Sequence, residues 1–265
     1  MNRTLLSKLL FGLFVLAALV DLVAVAADYS HIEAIAKPAL MAVLLLYFFS
    51  KARNVPIGIS IITSIALLFS LMGDVFMYET KNNPLMLAYG MLAFLMTHIL
   101  YTIVFNVAYV RKFKKRVIVR RPIMALPLII YGAIIFETLF VDSDNYQMPS
   151  GISVDLAVGI YIFFITLMAL SAQNRLTKTT RTSFWEVFGG ALFFVFSDTL
   201  IAFREFLGMS FPLMGVMVMI TYIAAQYFII NGITRHYDDL AGGWIRKDMR
   251  EETKQSLMEE FADPA

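Results

Sequence analysis

The stretch PIGISIITSIALLFSLMGDVFM, residues 56–77, holds a single charged side chain, Asp74, near its end. Wound as an α-helix it reaches about 33 Å, enough to cross the ~30 Å hydrocarbon core of a bilayer. A carboxylate in such a run is costly unless it faces protein or water. The stretch FVFSDTLIAF, residues 194–203, sets the same problem at Asp198.

Composition agrees with a membrane protein. The 265 residues are 59% hydrophobic and 16% charged, with a mean hydropathy of +0.72. Soluble domains are typically about 45–50% apolar and about 25% charged. A net charge of +2 provides no basic face, so nucleic acid is not an expected partner. The absence of cysteine excludes disulfides, thiolate metal sites and a cysteine nucleophile.

We read an all-α polytopic protein with eight transmembrane helices, at 5–26, 33–50, 56–77, 84–106, 122–141, 153–172, 184–206 and 211–232. The connections are short, so residues 1–234 form one membrane domain. Residues 235–265 are a polar tail, in which KDMREETKQSLMEEF is expected as a solvated helix with ion pairs at helical spacing. Arg3, Lys8 and the small residues near Asp28 resemble a cleaved signal. The length of the apolar run and Asp21 inside it favour a retained span.

Lys and Arg collect on the cytoplasmic side of membrane proteins. With the N-terminus inside, nineteen of the 22 cations fall in inside segments, leaving Lys37, Lys81 and Arg204. Both termini are then cytoplasmic. The embedded charges Asp21, Lys37, Asp74, Glu137, Asp155, Asp198, Arg204 and Glu205 all fall toward the outer end of their spans. We infer a polar cavity in the outer half of the bundle.

A shift of 124 residues lays Asp74 on Asp198, and ALLFSLMGDVFM from Ala66 on GALFFVFSDTLI from Gly190. The shift equals four spans, so both halves share one orientation. This is the pattern of a parallel four-plus-four repeat, residues 5–106 and 122–232. It sets two Asp residues facing each other across the bundle, with Gly73 and Ser197 preceding them.

Three readings compete for these carboxylates: interfacial residues, an ion pair with Lys37, or catalytic groups. Two Asp residues near one Lys support one ionised and one protonated partner, the arrangement acid–base chemistry needs. Gly90, Phe94, His98 and Tyr101 share one face of span 4, and Tyr222 and Gln226 share one face of span 8. Each set has a plainer reading as interhelical hydrogen bonding. No phosphate loop, G-x-S-x-G or H-E-x-x-H occurs. Only His98 of the three histidines is embedded, which excludes a multi-histidine zinc centre. A metal site built from Asp74, Asp198 and His98 is weighed, and no metal or other cofactor is expected.

The ordered pieces KP (Lys37–Pro38), FSLMGD (Phe69–Asp74), GMLAFLMTHILY (Gly90–Tyr101), GALFFVFSDTLIAF (Gly190–Phe203) and TYIAAQ (Thr221–Gln226) resemble the YhhN family of multi-pass lysoplasmalogenases. They touch five of the eight spans. The charged tail after Tyr237 departs from the pattern. The resemblance implies hydrolysis of the vinyl ether bond of a lysoplasmalogen, to a fatty aldehyde and a glycerophospho-ethanolamine or -choline. The expected catalytic residues are Asp74 and Asp198. Lys37, His98, Tyr101, Ser197, Arg204, Tyr222 and Gln226 are the expected substrate-binding set, with Lys37 or Arg204 meeting the phosphate. The partners are then a lysophospholipid and the bilayer, and the location a bacterial inner membrane or an endoplasmic reticulum. A proton-coupled transporter is the competing function, since embedded carboxylates and parallel repeats suit it too.

Overall fold

A computed structural model describes residues 3–80, 83, 85–107, 122–142, 154–176 and 178–262. Eight α-helices account for nearly all of them: α1 Arg3–Ala26, α2 Ser30–Lys51, α3 Ile57–Glu79, α4 Leu85–Val107, α5 Leu126–Asp142, α6 Val154–Gln173, α7 Arg181–Leu207 and α8 Met214–Ala262. The described residues include no strand. In hydrocarbon every backbone N–H and C=O must be satisfied within the segment, and the helix does this residue by residue.

Seven helices are long and apolar enough to cross a membrane. The eighth, expected at 122–141, is shorter: a 310 turn at Pro122–Ala125 leads into the 17 residues of α5. About 26 Å of helix results. The last span does not stop at its expected end. α8 continues without a break through the tail to Ala262 as one helix of 49 residues. Residues 108–121 and 143–153, most of two expected connections, lie outside the described residues, and with them seven of the nineteen cations behind the orientation.

α3 packs closely on α4, α7 on α8, and α1 on α2. α2 also packs on α3, α4 joins this group to α7 and α8 through α6, α5 lies against α6 and α7, and α8 closes on α1 and α2. The core is apolar and continuous, built from Leu40, Met41, Leu44 and Phe48 of α2, Tyr101 and Phe105 of α4, Phe194 of α7 and Ile229, Ile230 and Ile233 of α8. Apolar residues such as Leu16, Val23, Ile35 and Phe163 are exposed on the outside of the bundle, as a lipid-facing surface requires.

Helix starts recur at the spacing seen in the sequence. Ser30 of α2 and Val154 of α6 are 124 residues apart, and so are Ile57 of α3 and Arg181 of α7. α7 ends on Gly208, whose left-handed φ of 61° lets the cap N–H return to Phe203 O.

The α7–α8 crossing is set by small residues. A Cβ on Gly190 would lie 2.8 Å from the Ala225 carbonyl and 3.0 Å from the Ile229 nitrogen, and backbone cannot swing aside. Its neighbour Gly189 has nothing within 4 Å. Gly190→Ala is therefore expected to cost about 1–3 kcal/mol by overpacking, while Gly189→Ala is neutral or slightly stabilising. Thermal unfolding of the two variants in detergent separates them; equal melting temperatures would contradict this close approach.

Candidate active site

The site lies at the end of the bundle where α2, α4, α6 and α8 begin. Asp74 sits one turn before the end of α3 and is buried. Tyr222 of α8 donates to its Oδ2 at 2.9 Å. Asp198 of α7 is buried too, and two donors meet its Oδ2: Tyr161 Oη of α6 at 2.5 Å and His98 Nε2 of α4 at 2.9 Å. His98 and Tyr161 are themselves 3.0 Å apart.

His98 is fully buried, and its Nδ1 has no partner among the described residues. The tautomer with the proton on Nε2 leaves only a lone pair unmatched at Nδ1, which costs less than a stranded N–H, and it donates to Asp198. Each carboxylate thus has one oxygen tied to donors, while neither Oδ1 is a buried atom left without a partner.

An aromatic wall stands between the two assemblies. Phe94 meets Phe194 and Tyr222 edge to face at 6.4 and 5.9 Å, and Phe194 meets His98 at 4.8 Å. Gly73 makes room for it: a Cβ there would lie 2.8 Å from the Phe94 ring. This is a packing reason for the small residue that precedes Asp74.

Beneath the carboxylates runs a second polar layer. Tyr101 donates to Gln226 Oε1 at 2.6 Å, Gln226 Nε2 donates to Ser70 Oγ at 2.8 Å, and Ser70 meets Thr97 at 3.1 Å. These buried groups satisfy one another and pin α3, α4 and α8 together. Tyr101 and Gln226 do not line the cavity above them. Of the expected substrate-binding residues, these two are supports placed under the site, and His98, which does not line the cavity either, meets it only through Asp198.

That cavity has a volume of about 390 Å³ and is lined by Asp28, Glu33, Lys37, Asp74, Tyr78, Ser197, Asp198, Arg204, Glu205 and Tyr222, among others. Both carboxylates therefore open on one space. Ser197 is at its edge, with its hydroxyl on Val218 O at 3.1 Å. Arg204 is exposed and bonded to Glu205 at 2.8 Å. Lys37 interacts electrostatically with Asp74 and Asp21, but its ion-pair partner is Glu33, one turn earlier on α2. The close partner of Asp74 is thus Tyr222, where Lys37 was expected. An ammonium and a carboxylate four residues apart on one helix meet without any tertiary cost.

Pro38 follows Lys37 inside α2 and supplies no N–H, so the Ala34 carbonyl loses its helical donor beside Asp74, in a small recess shared with Glu33 and Tyr78. Asp21 is fully buried, with both oxygens unpartnered among the described residues. Glu137 is exposed, and neither it nor Asp155 lines the cavity. No group of three His, Cys, Asp or Glu among the described residues is placed to hold a metal ion.

Among the described residues, Tyr161 is the direct partner of Asp74 or Asp198 that sequence reasoning missed. A signal existed. Tyr161 lies 124 residues after Lys37, as Asp198 does after Asp74 and Tyr222 after His98. In the fold the donors cross over: the α4 histidine serves the α7 carboxylate, and the α8 tyrosine serves the α3 carboxylate.

The YhhN family model matches residues 32–233, well over half of the chain and all of the cavity lining except Val25 and Asp28. No curated protein and no solved structure matches the chain.

Proposed function

The chain belongs to the YhhN family, and from that membership we propose that it hydrolyses the vinyl ether bond of lysoplasmalogens. The observation that carries the reading is the convergence of Asp74 and Asp198 on one cavity at one end of a membrane bundle. Each is held on one oxygen by donors from other helices.

The reaction needs an acid and a carboxylate. A carboxylic acid delivers a proton to the alkene carbon farther from the ether oxygen. The adjacent carbon becomes an oxocarbenium ion, and an anionic carboxylate beside it lowers the energy of that charge. Water adds to the cation and gives up a proton, leaving a hemiacetal. The hemiacetal hydroxyl then gives up its proton, the bond from its carbon to the glycerol oxygen breaks, that oxygen takes a proton, and the aldehyde departs. The demand parallels glycoside hydrolysis, where two carboxyl groups share the same duties. Asp74 and Asp198 are the pair, one acid and one base. Tyr161, His98 and Tyr222 orient them. Lys37 and Arg204 are the cations available to the phosphate.

We also propose that the two halves are duplicates, because helix starts and three polar positions recur at one spacing. From the Lys and Arg distribution we further propose that the site faces the non-cytoplasmic side and both termini the cytoplasm.

The test is purified protein in detergent, given a lysoplasmalogen, with aldehyde release followed. Turnover without a sealed membrane is expected. A transporter shows no function under those conditions, and absence of aldehyde would sink the proposal.

A further inference from the structure

A second cavity adjoins the first. It is smaller, with a volume of about 70 Å³, and its walls are apolar except for a few polar side chains. Leu87 and Met91 of α4, Ile135 and Leu139 of α5, Ile162 of α6 and Ala202 of α7 are among its walls. Along α7 it runs from Val195 to Phe206, about 16 Å of helix. Near the level of Asp198 the Tyr131–Thr199 hydrogen bond, 2.9 Å, ties α5 to α7. The two cavities share Met77, Phe94, Asp198, Ile201 and Glu205. Asp74, Lys37 and Arg204 line the polar one only.

We infer that the apolar cavity seats the hydrocarbon chain of the lysolipid, with Asp198 at the joint between chain and headgroup, and that its width at Ala202 selects the chain. The inference rests on the lysolipid reading above. A molecule with one charged and one apolar part has the two ends sorted by the two lobes. The bond between those parts then lies where the lobes meet. Burial of successive methylenes along the lobe makes affinity depend on chain length.

Two measurements test it. In the first, a long-chain lysoplasmalogen and a short-chain analogue with the same headgroup are compared. Ala202→Phe should lower kcat/KM for the long chain by about tenfold or more and leave the short one within about twofold, since pocket shape discriminates chains on this scale. An equal effect on both, or none, in a variant that stays monodisperse overturns the inference.

The second is independent of turnover and of that variant's folding. The chain has no cysteine, so Ile135→Cys carries its only thiol, placed in the apolar lobe. Saturated long-chain lysophosphatidylethanolamine should slow its labelling by a maleimide, and glycerophosphoethanolamine should not. Leu16→Cys on the lipid-facing side of α1 should be indifferent to both. Protection without aldehyde release by the wild-type protein leaves the lobe standing and removes the hydrolase reading. Aldehyde release without protection or chain selectivity does the reverse.

Discussion

Asp198→Asn lowers kcat for a lysoplasmalogen by about 10²–10⁴-fold, the usual contribution of a positioned acid or base, and Asp74→Asn does the same. Asparagine keeps the shape and a carbonyl oxygen. At position 198 that oxygen still accepts from Tyr161 and His98, and at position 74 from Tyr222. The variants should therefore purify and unfold much like the parent. What is lost is the ability to hold or give a proton and to carry a negative charge beside the cation. Because the two groups act in one reaction, the double variant should be little worse than either single one. Aldehyde release from each purified protein decides the matter. More than about a tenth of parental turnover in either single variant would mean that the carboxylates are not the catalytic pair.

Tyr161→Phe lowers kcat by about 10–100-fold, because a hydrogen bond to a charged group is worth about 1.5–3 kcal/mol and Asp198 loses one of its two donors. Tyr222→Phe should act alike on Asp74, whose hydrogen-bond donor among the described residues is Tyr222. These are positioning residues, so the loss belongs in kcat with KM changed far less. Tyr101→Phe provides the contrast. It removes the bond to Gln226 in the layer beneath, leaves Gln226 Oε1 without that donor, and should cost about 1–3 kcal/mol of stability while kcat stays within about threefold. A Tyr101→Phe variant as inactive as Tyr161→Phe would erase the distinction between the site and its support. So would a loss confined to KM in Tyr161→Phe.

Much of the site was legible because charge in an apolar run is conspicuous. Asp74 and Asp198 stand out on hydropathy alone, and the 124-residue shift relates them before any fold is known. Tyr161 did not stand out. A tyrosine in a membrane segment is unremarked without its partner, and nothing local to α6 says that it faces Asp198. Lys37 was legible as an embedded cation but not as the partner of Glu33. The sequence contains several carboxylates within reach, and the choice among them depends on which helix faces turn inward. Tyr101 and Gln226 were grouped with the site for lying on the polar faces of spans 4 and 8. They lie beneath the cavity, in a layer that only the packed bundle makes visible.

The division has one physical cause. In lipid, a helix satisfies its backbone within its own segment, so the number and limits of the spans are local decisions written in hydropathy. The eight helices, the embedded carboxylates and their common end of the bundle belong to that level. Helix–helix association in lipid has no comparable hydrophobic signal, because lipid tails are as apolar as leucine, and it follows close packing and polar contacts between distant residues. The crossed donors on Asp74 and Asp198, the Phe94 ring over Gly73 and the two lobes meeting at Asp198 are decided there, by the tertiary structure alone.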